Sequence, residues 1–251
     1  MDRLNAGAIA LPGIEVRVLE RCTSTNALLL DAALGGVLLA AEEQTAGRGR
    51  RGRRWHAAPG SGVTFSLAHT VHRPLRELAG LALVAGVGVA RALRGLGLAR
   101  VALKWPNDLV IDGGKLGGIL VETRAKARGA LAVIGVGINC RHDPLLEGRL
   151  RRAVASLDRY IDVDRNLVIA CTAASLLEAI ATFEAHGLEP LRAEWEAMDA
   201  HAGERLRVRL ADGRILTGVA RGLEPDGALR LQTPSGLRTV RSARVLSARP
   251  A

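Results

Sequence analysis

Strand-like apolar patterns dominate the first half of the chain. Residues 14–19 alternate apolar and polar positions, which predicts a strand with one buried face. Residues 37–41 and 130–138 are nearly continuous apolar runs, which indicates strands buried on both faces, and residues 62–68 are a further predicted strand. Residues 115–122 form a strand pattern containing two glycines, a feature that often marks close approach by a ligand or another backbone.

Helical patterns lie between and after these strands. Hydroxyl and amide residues at 23–26 precede the apolar segment 27–33, as at a helix N-cap, where such groups either only cap or also bind a polar ligand. Residues 75–94 are largely apolar with charges at both ends, which predicts a helix packed on a sheet. A shorter helix is expected around residues 191–195, with Trp195 in the core. Residues 164–186 place five side chains at helical spacing, namely Leu167, Cys171, Ala174, Leu177 and Ile180.

The pattern changes after Gly203. Residues 205–210 alternate strictly between arginine and apolar residues, and turn signals follow at 212–213, 225–227 and 234–236. Several short strands in this C-terminal module (residues 203–251) predict a small β-barrel of the SH3-like type. Its outward arginines are either solvated or face a nucleotide or partner protein. The predicted fold class is α+β, with a mixed β-sheet domain backed by helices over residues 1–200 and the barrel over residues 203–251.

A proline interrupts the segment 101–111. Pro106 cannot donate a hydrogen bond to a neighbouring strand, so we expect two short strands with a break between them. The break would leave Asn107 and Asp108 at a strand end. A tight turn at residues 112–114 then leads into the strand that begins near Lys115.

The most unusual stretch is the arginine loop (residues 44–56), which joins two predicted strands. Positions 48–54 consist of five arginines and two glycines. Arginine offers planar, permanently charged donors for carboxylate or phosphate, and glycine lets the backbone approach a ligand closely. The loop alone is compatible both with a flexible anion-binding lid and with a solvated basic linker or nucleic-acid-binding segment.

The charge distribution favours a local anion site over a nucleic-acid-coating surface. The formal net charge is +10, but the arginine loop and the C-terminal module carry the excess, and the rest of the chain is close to neutral. Only three lysines occur, Lys104, Lys115 and Lys126, and the first two lie in motif-like segments. Nucleic-acid binding also predicts interleaved stacking aromatics, whereas the chain has three Trp, one Tyr and two Phe.

Three widely spaced cysteines without a CxxC pair fit a reducing compartment and predict neither a disulfide framework nor a zinc site. The chain begins without a signal-peptide pattern, and its longest strongly apolar uncharged run, residues 78–90, is 13 residues long, which is short for a membrane span. The sequence therefore predicts a cytoplasmic protein that does not enter a membrane.

The polar residues of the main domain suit activation of a carboxylate by a nucleotide. That reaction brings two anions together, so its main requirement is charge neutralisation and alignment. Arg48 and Arg50 could clamp carboxylate and phosphate, with Lys115 at the reacting centre. Asp108 could hold Mg²⁺, which prefers few carboxylates plus phosphate oxygens. A loop that closes over the ligand would also exclude water from a labile acyl-adenylate.

Four motifs, in this order, resemble those of the biotin protein ligases. They are Ser24-Thr25-Asn26; Gln44-x-Ala46-Gly47-Arg48-Gly49-Arg50-Arg51-Gly52-Arg53-x-Trp55; Lys104-Trp105-Pro106-Asn107-Asp108-Leu109; and Lys115-Leu116-x-Gly118-Ile119-Leu120-Val121-Glu122. The second and third are highly specific, and the resemblance covers nearly the whole chain. It implies the biotin/lipoate ligase type of fold, with conversion of biotin and ATP to biotinyl-5′-AMP and transfer of biotin to one lysine of a biotin carboxyl carrier protein.

The resemblance also implies roles for individual residues. The residues expected to contact biotin are Ser24, Thr25, Asn26, Gln44, Arg48, Gly49, Arg50, Lys115 and Gly118. Those expected on the ATP side are Arg50, Trp55, Lys104, Asn107 and Asn139, with Asp108 as the Mg²⁺ ligand. Trp55 is expected to pack against adenine. The residues expected to act in catalysis are Arg48, Arg50 and Lys115.

Two further expectations and two alternatives accompany the resemblance. Since the first strand begins near residue 14, no N-terminal DNA-binding domain is expected. The resemblance alone suggests a homodimer through a sheet edge. A lipoate or octanoate ligase of the same fold is the first alternative, although the arginine loop and Gln44 argue against it. A basic nucleic-acid-binding protein is the second.

Overall fold

Seven strands form one mixed sheet in a computed structural model of the protein, which describes residues 3–143, 148 and 153–251. The sheet order is β1-β2-β3-β7-β6-β5-β4, with β1 and β2 parallel and all other neighbours antiparallel. The strands are β1 (Glu15–Cys22), β2 (Val37–Gln44), β3 (Gly62–Val71), β4 (Ala102–Lys104), β5 (Asp108–Ile111), β6 (Gly114–Ala125) and β7 (Ala130–Asn139). The break predicted at Pro106 therefore separates β4 from β5, and the arginine loop joins the neighbouring strands β2 and β3.

Helices cover both faces of this sheet. They are α1 (Thr25–Ala32), α2 (Leu81–Gly95), α3 (Arg165–His186) and α4 (Glu189–Ala197), with a 3₁₀ helix at Leu75–Gly80 before α2. Alternate residues of β2 enter different cores: Val37 and Leu39 pack with Leu29 of α1, whereas Leu38 and Ala40 join the larger core with α2 and α3. This alternation is the physical reason for the continuous apolar run, since the strand is buried on both sides.

The buried face of α3 differs from the helical spacing noted in the sequence. Leu167 is 47% exposed, and of the five spaced residues only Ile180 is fully buried. The buried face is offset by about one position and includes Val168, Thr172 and Leu176. Because α3 carries apolar residues around most of its circumference, its sequence alone does not fix which side contacts α2.

Two helical segments have the length and apolar character of a membrane span. The most apolar 18-residue stretches of residues 75–95 and of α3 have mean hydropathies of 1.5 and 1.6. Of these two stretches, 67% and 50% are buried inside the protein. Both segments pack in the core that covers the sheet.

The C-terminal module contains a five-stranded antiparallel sheet in the order β11-β10-β9-β8-β12. Its strands are β8 (Arg205–Leu210), β9 (Ile215–Leu223), β10 (Leu229–Thr233), β11 (Gly236–Val240) and β12 (Ala243–Arg249). Leu206 and Val208 are buried, while the arginines between them are exposed, as the alternation predicted. The module contacts the larger sheet directly, since Trp105 Nε1 donates to the carbonyl of Gly227 at 3.1 Å.

Two side chains whose pKa values are shifted in opposite directions, Asp199 and His201, lie where the two sheets meet. The Leu103 amide donates to the Met198 carbonyl at 2.7 Å, and the Leu103 carbonyl accepts from the Ala200 amide at 2.8 Å. The backbone N–H of His201 donates to Asp199 Oδ1 at 3.0 Å. Burial raises the pKa of Asp199 to about 6. Burial, with the nearby charge of Lys104, lowers the pKa of His201 to about 4. Both shifts disfavour the charged form.

These shifts predict opposing contributions to stability in one pH window. Asp199 stabilises the fold below its ordinary pKa of 3.8, and that contribution is lost as pH rises towards 6. His201 stabilises the fold above its ordinary pKa of 6.5, and that contribution is lost as pH falls towards 4. In Asp199→Asn, unfolding free energy relative to wild type should therefore increase by about 1 kcal/mol from pH 4 to 6.5. Urea unfolding at several pH values measures this, and His201→Gln should show the opposite slope.

Candidate functional site

A cavity of about 370 Å³ lies beneath the arginine loop, beside the first turn of α1 and over strands β6 and β7. Its lining includes most of the predicted site residues, namely Ser24, Thr25, Asn26, Gln44, Arg48, Gly49, Arg50, Trp55, Asn107, Asp108, Lys115 and Gly118. Segments more than a hundred positions apart in the chain thus converge on one volume.

The first turn of α1 presents its polar groups at one wall. Ser24 is the N-cap, and its hydroxyl accepts from the Ala27 amide at 3.4 Å. The backbone N–H of Thr25 donates to Gln44 Oε1 at 2.8 Å. Because a backbone N–H can only donate, this bond fixes the oxygen of the Gln44 amide towards Thr25 and leaves its NH₂ group on the other side. The loop root therefore supplies an oriented donor to the cavity.

Asn26 lies on the side of the same turn that faces the sheet. Its Nδ2 donates to Glu122 Oε2 at 3.0 Å, and its Oδ1 accepts from the Ser66 hydroxyl at 2.5 Å. Thr25 Oγ1 lies 2.7 Å from Ser66 Oγ. All three residues of the first motif are thus buried and hydrogen-bonded, which is how buried polar groups avoid a desolvation penalty.

The arginine loop has a defined path over the cavity. The Gly49 amide donates to the Arg53 carbonyl at 2.7 Å and the Trp55 amide donates to the Gly47 carbonyl at 3.0 Å, so the loop folds back on itself. Arg48 reaches the sheet, where its Nη2 lies 2.7 Å from Glu122 Oε1. The loop is therefore anchored at its root and at its first arginine.

Arg50 points towards the strand break. Its Nη1 donates to Asn107 Oδ1 at 3.3 Å. Burial, together with the neighbouring Arg51 and Arg53, lowers the pKa of Arg50, while Asp108 opposes this shift. A guanidinium remains charged at neutral pH even so, and its partial desolvation strengthens its attraction for an anion.

Lys115 and Asp108 form an ion pair on neighbouring strands, between Lys115 Nζ and Asp108 Oδ1. Both side chains are largely buried, at 14% and 18% exposure. Asn107 is fixed beside them, because its Nδ2 donates to the Ile119 carbonyl at 2.7 Å. The cavity thus has a buried ammonium and a buried carboxylate close to the Arg50 guanidinium.

Two glycines of β7 form the floor. A Cβ at Gly135 would lie 2.3 Å from Asn26 Oδ1, and a Cβ at Gly137 would lie 2.5 Å from Cε2 of Trp55. Asn26 and Trp55 therefore pack directly on bare backbone. Trp55 Nε1 is buried and has no hydrogen-bond partner among the described residues.

Lys104 and Asn139 do not line this cavity. Asn139 Nδ2 donates to the carbonyls of Lys115 and Ala155, both at 3.1 Å, so it joins β6 to the segment after residue 153. Lys104 lies near His201 at the junction with the C-terminal module.

The sequence arguments missed several lining residues. Thr64 and Ser66 line the cavity and stand at alternate positions of β3, so their hydroxyls within an apolar strand were a usable signal. Arg244 of β12 also lines the cavity. In addition, Arg51 Nη2 donates to Ser242 Oγ at 3.0 Å. Nothing local in the sequence distinguishes Arg244 from the other arginines of the C-terminal module.

A magnesium ion would find few protein ligands here. Across residues 3–143, 148 and 153–251, no group of three or more His, Cys, Asp or Glu side chains could hold a metal. Asp108 is a single carboxylate within the cavity, which fits an ion that obtains most of its oxygen ligands from phosphate and water.

Comparisons with known proteins agree with this geometry. Residues 18–139 match the model of the Biotin/lipoate A/B protein ligase family, and residues 201–246 match the Biotin protein ligase C terminal domain. The bifunctional ligase/repressor BirA of Escherichia coli is 37% identical over 91% of this chain and 73% of its own. The biotin–[acetyl-CoA-carboxylase] ligase of Mycobacterium tuberculosis is 37% identical over 90% of this chain and 85% of its own.

A solved structure extends the likeness to the whole fold. The biotin protein ligase from Aquifex aeolicus, in complex with biotin and ATP, superposes with a TM-score of 0.80 at 27% identity, covering 94% of this chain and 99% of that chain. The similarity therefore includes both the seven-stranded sheet and the C-terminal module.

Proposed function

The chain belongs to the biotin/lipoate A/B protein ligase family, and from this premise we propose that it is an ATP-dependent biotin protein ligase. It activates biotin to biotinyl-5′-AMP and passes the biotinyl group to a lysine of a biotin carboxyl carrier protein. The Mycobacterium tuberculosis and Aquifex aeolicus proteins named above are biotin ligases, which favours this function over the lipoate and nucleic-acid alternatives.

One observation carries the proposal: a single cavity combines oriented neutral donors and acceptors with concentrated positive charge. The α1 turn and Gln44 match a ureido ring, which has one carbonyl acceptor and two N–H donors. Arg48, Arg50 and Lys115 match the negative charge of a carboxylate and phosphates. Biotin carries a ureido ring and a carboxylate at its two ends.

The first step is attack by a biotin carboxylate oxygen on the α-phosphorus of ATP. An O–P bond forms, the bond to the β-phosphate bridge breaks, and pyrophosphate leaves. Both reactants are anions, so Lys115 and Arg48 act by neutralising and aligning them in a site shielded from water. Arg50, held by Asn107, faces the phosphates.

The second step consumes the mixed anhydride. The amine of the acceptor lysine attacks the biotinyl carbonyl carbon, AMP leaves, and the nitrogen loses a proton as the amide forms. The arginine loop folds over the cavity and retains the adenylate between the two steps.

The remaining roles are part of the same proposal. Trp55 packs against adenine, and Lys104 and Asn139 support the ATP side from outside the cavity lining. Asp108 would hold Mg²⁺ that arrives with ATP, and the ion would neutralise phosphate charge. Asp108 also orients the Lys115 ammonium through their ion pair.

We further propose a catalytic unit over residues 1–200 and a C-terminal unit over residues 203–251. Cytoplasmic action suits the three cysteines, which form no disulfide among the described residues. A homodimer through a sheet edge would use β1 or β4, the two end strands of the large sheet.

Pyrophosphate exchange into ATP tests the proposal directly. The exchange should depend on biotin, and lipoate, octanoate or no added acid should support none above background. Exchange without biotin, or with lipoate in place of biotin, would contradict a biotin-activating function.

Arg244→Ala should weaken ATP binding. The exposed guanidinium lines the cavity from the C-terminal module, so its loss should raise the KM for ATP about threefold to tenfold with little change in the KM for biotin. Steady-state exchange kinetics measure both constants. Arg249→Ala, on the same strand but outside the cavity, is the matched control and should behave as wild type.

A further inference from the structure

Glu122 of β6 makes two contacts that the proposed mechanism does not use. One carboxylate oxygen lies 2.7 Å from Nη2 of Arg48 in the arginine loop. The other accepts from Asn26 Nδ2 of α1 at 3.0 Å. The Glu122 side chain is only 19% exposed. A single, mostly buried carboxylate therefore joins the loop to the helix that forms the cavity wall.

The hydrogen bonds continue from Asn26 back to the root of the loop. Ser66 Oγ donates to Asn26 Oδ1 at 2.5 Å, and Thr25 Oγ1 lies 2.7 Å from Ser66 Oγ. The Thr25 amide then donates to Gln44, where the arginine loop begins. Glu122 therefore completes a chain of polar contacts, and the loop backbone between residues 44 and 48 closes it into a polar ring. The members of this ring are Gln44, Thr25, Ser66, Asn26, Glu122 and Arg48.

The charge of Glu122 fixes the direction of the bonds in this polar ring. An ionised carboxylate only accepts, so both Asn26 and Arg48 must donate to it. Asn26 must then turn its Oδ1 towards Ser66, and this oxygen accepts the hydrogen bond from the Ser66 hydroxyl. A neutral amide at position 122, which can both donate and accept, would weaken this constraint. The Leu120 carbonyl, which also accepts from Asn26 Nδ2 at 3.3 Å, would still favour the same direction.

Arg48 retains hydrogen-bond donors beyond the one that contacts Glu122. The side chain is 48% exposed, so its ion pair with Glu122 alone contributes little to stability. A guanidinium has five N–H donors, and the contact to Glu122 is made by Nη2. The remaining donors can bind an anion while Glu122 sets the position of the guanidinium.

We propose that Glu122 is a positioning residue that holds Arg48 over the acyl-adenylate and links it, through Asn26, to the wall that receives the ureido ring. The inference rests on the proposed function. Its opposite is also physically reasonable: a carboxylate that competes with the ligand for Arg48 would act as a latch, and removing it would tighten binding. The sign of the effect separates the two.

The experiment measures how fast the enzyme loses its adenylate. Wild type, Glu122→Gln, Arg48→Ala and the double variant are loaded with biotin and labelled ATP, separated from free nucleotide, and followed for release of labelled biotinyl-5′-AMP. Glu122→Gln should release the adenylate about tenfold faster than wild type, because a charge-assisted bond to Arg48 is lost. Glu122→Asp keeps the charge and should release it more slowly than Glu122→Gln.

The double variant identifies the route of the effect. If Glu122 acts through Arg48, adding Glu122→Gln to Arg48→Ala should change release less than twofold. Glu194→Gln breaks the Arg91–Glu194 ion pair, whose side chains are 37% and 34% exposed and do not line the cavity. This control variant should release the adenylate as wild type does. Thermal melts of all variants detect any general loss of folding.

Three results would overturn the inference. They are a change below threefold in Glu122→Gln, slower release than wild type, or the same acceleration with and without Arg48. Failure of the wild type to form any biotin-dependent adenylate would instead overturn the proposed function and the inference with it.

Discussion

Lys115→Ala is expected to lower the rate of biotinyl-5′-AMP formation about 100-fold to 1,000-fold, the range for losing one preorganised charge at a reacting centre. The Lys115 ammonium is 14% exposed, so water neither screens nor replaces it well. Single-turnover formation of labelled adenylate, at saturating biotin and ATP, measures the chemical step directly.

The variant also leaves the Asp108 carboxylate without its ion-pair partner, which could itself reduce stability. Lys115→Ala with Asp108→Ala removes both charges and isolates the effect on stability: the double variant should recover the stability that Lys115→Ala loses. Lys126→Ala is the matched lysine control, since Lys126 is exposed and lies 3.5 Å from Thr70, outside the cavity. A Lys115→Ala enzyme with full rate would remove this residue from the reacting centre.

Arg48→Ala is expected to leave adenylate formation measurable and to accelerate adenylate release about 10-fold to 100-fold. Arg48 anchors the arginine loop to β6 and, in the proposed complex, binds the charged adenylate. Charge-assisted hydrogen bonds from arginine contribute about 1.5–3 kcal/mol, which corresponds to this range. Release of labelled adenylate from the isolated complex measures the rate.

A surface arginine provides the control for Arg48. Arg21 pairs with Glu43 at 3.3 Å on the edge strand and lies outside the cavity, so Arg21→Ala should retain the adenylate as wild type does. If Arg48→Ala also retained it, the loop would have to close through other contacts, such as those of Arg50 or Trp55.

Most of the secondary structure was predictable because its causes are local. Pro106 separates β4 from β5, Ser24 caps α1, and the arginine–apolar alternation of β8 marks its buried face. The helical face of α3 was not predictable, because apolar residues surround that helix and its contact with α2 selects the buried side.

The site also has features that the local sequence predicts and features that it does not. The sequence by itself determined that a cationic glycine-containing loop joins two buried strands, and that Lys115, Asn107 and Asp108 lie at strand ends. These features follow from side-chain charge, from the missing N–H of proline and from the alternation of buried and exposed positions along a strand. None of the three requires knowledge of distant segments.

Only the tertiary structure decided which distant groups share one cavity. It placed Ser66 and Glu122 in hydrogen-bond contact with Asn26, brought Arg244 from the C-terminal module to the cavity lining, and left Lys104 outside that lining. The physical reason is sheet register: pairing of β3, β7 and β6 sets which side chains face α1, and no local pattern encodes that pairing.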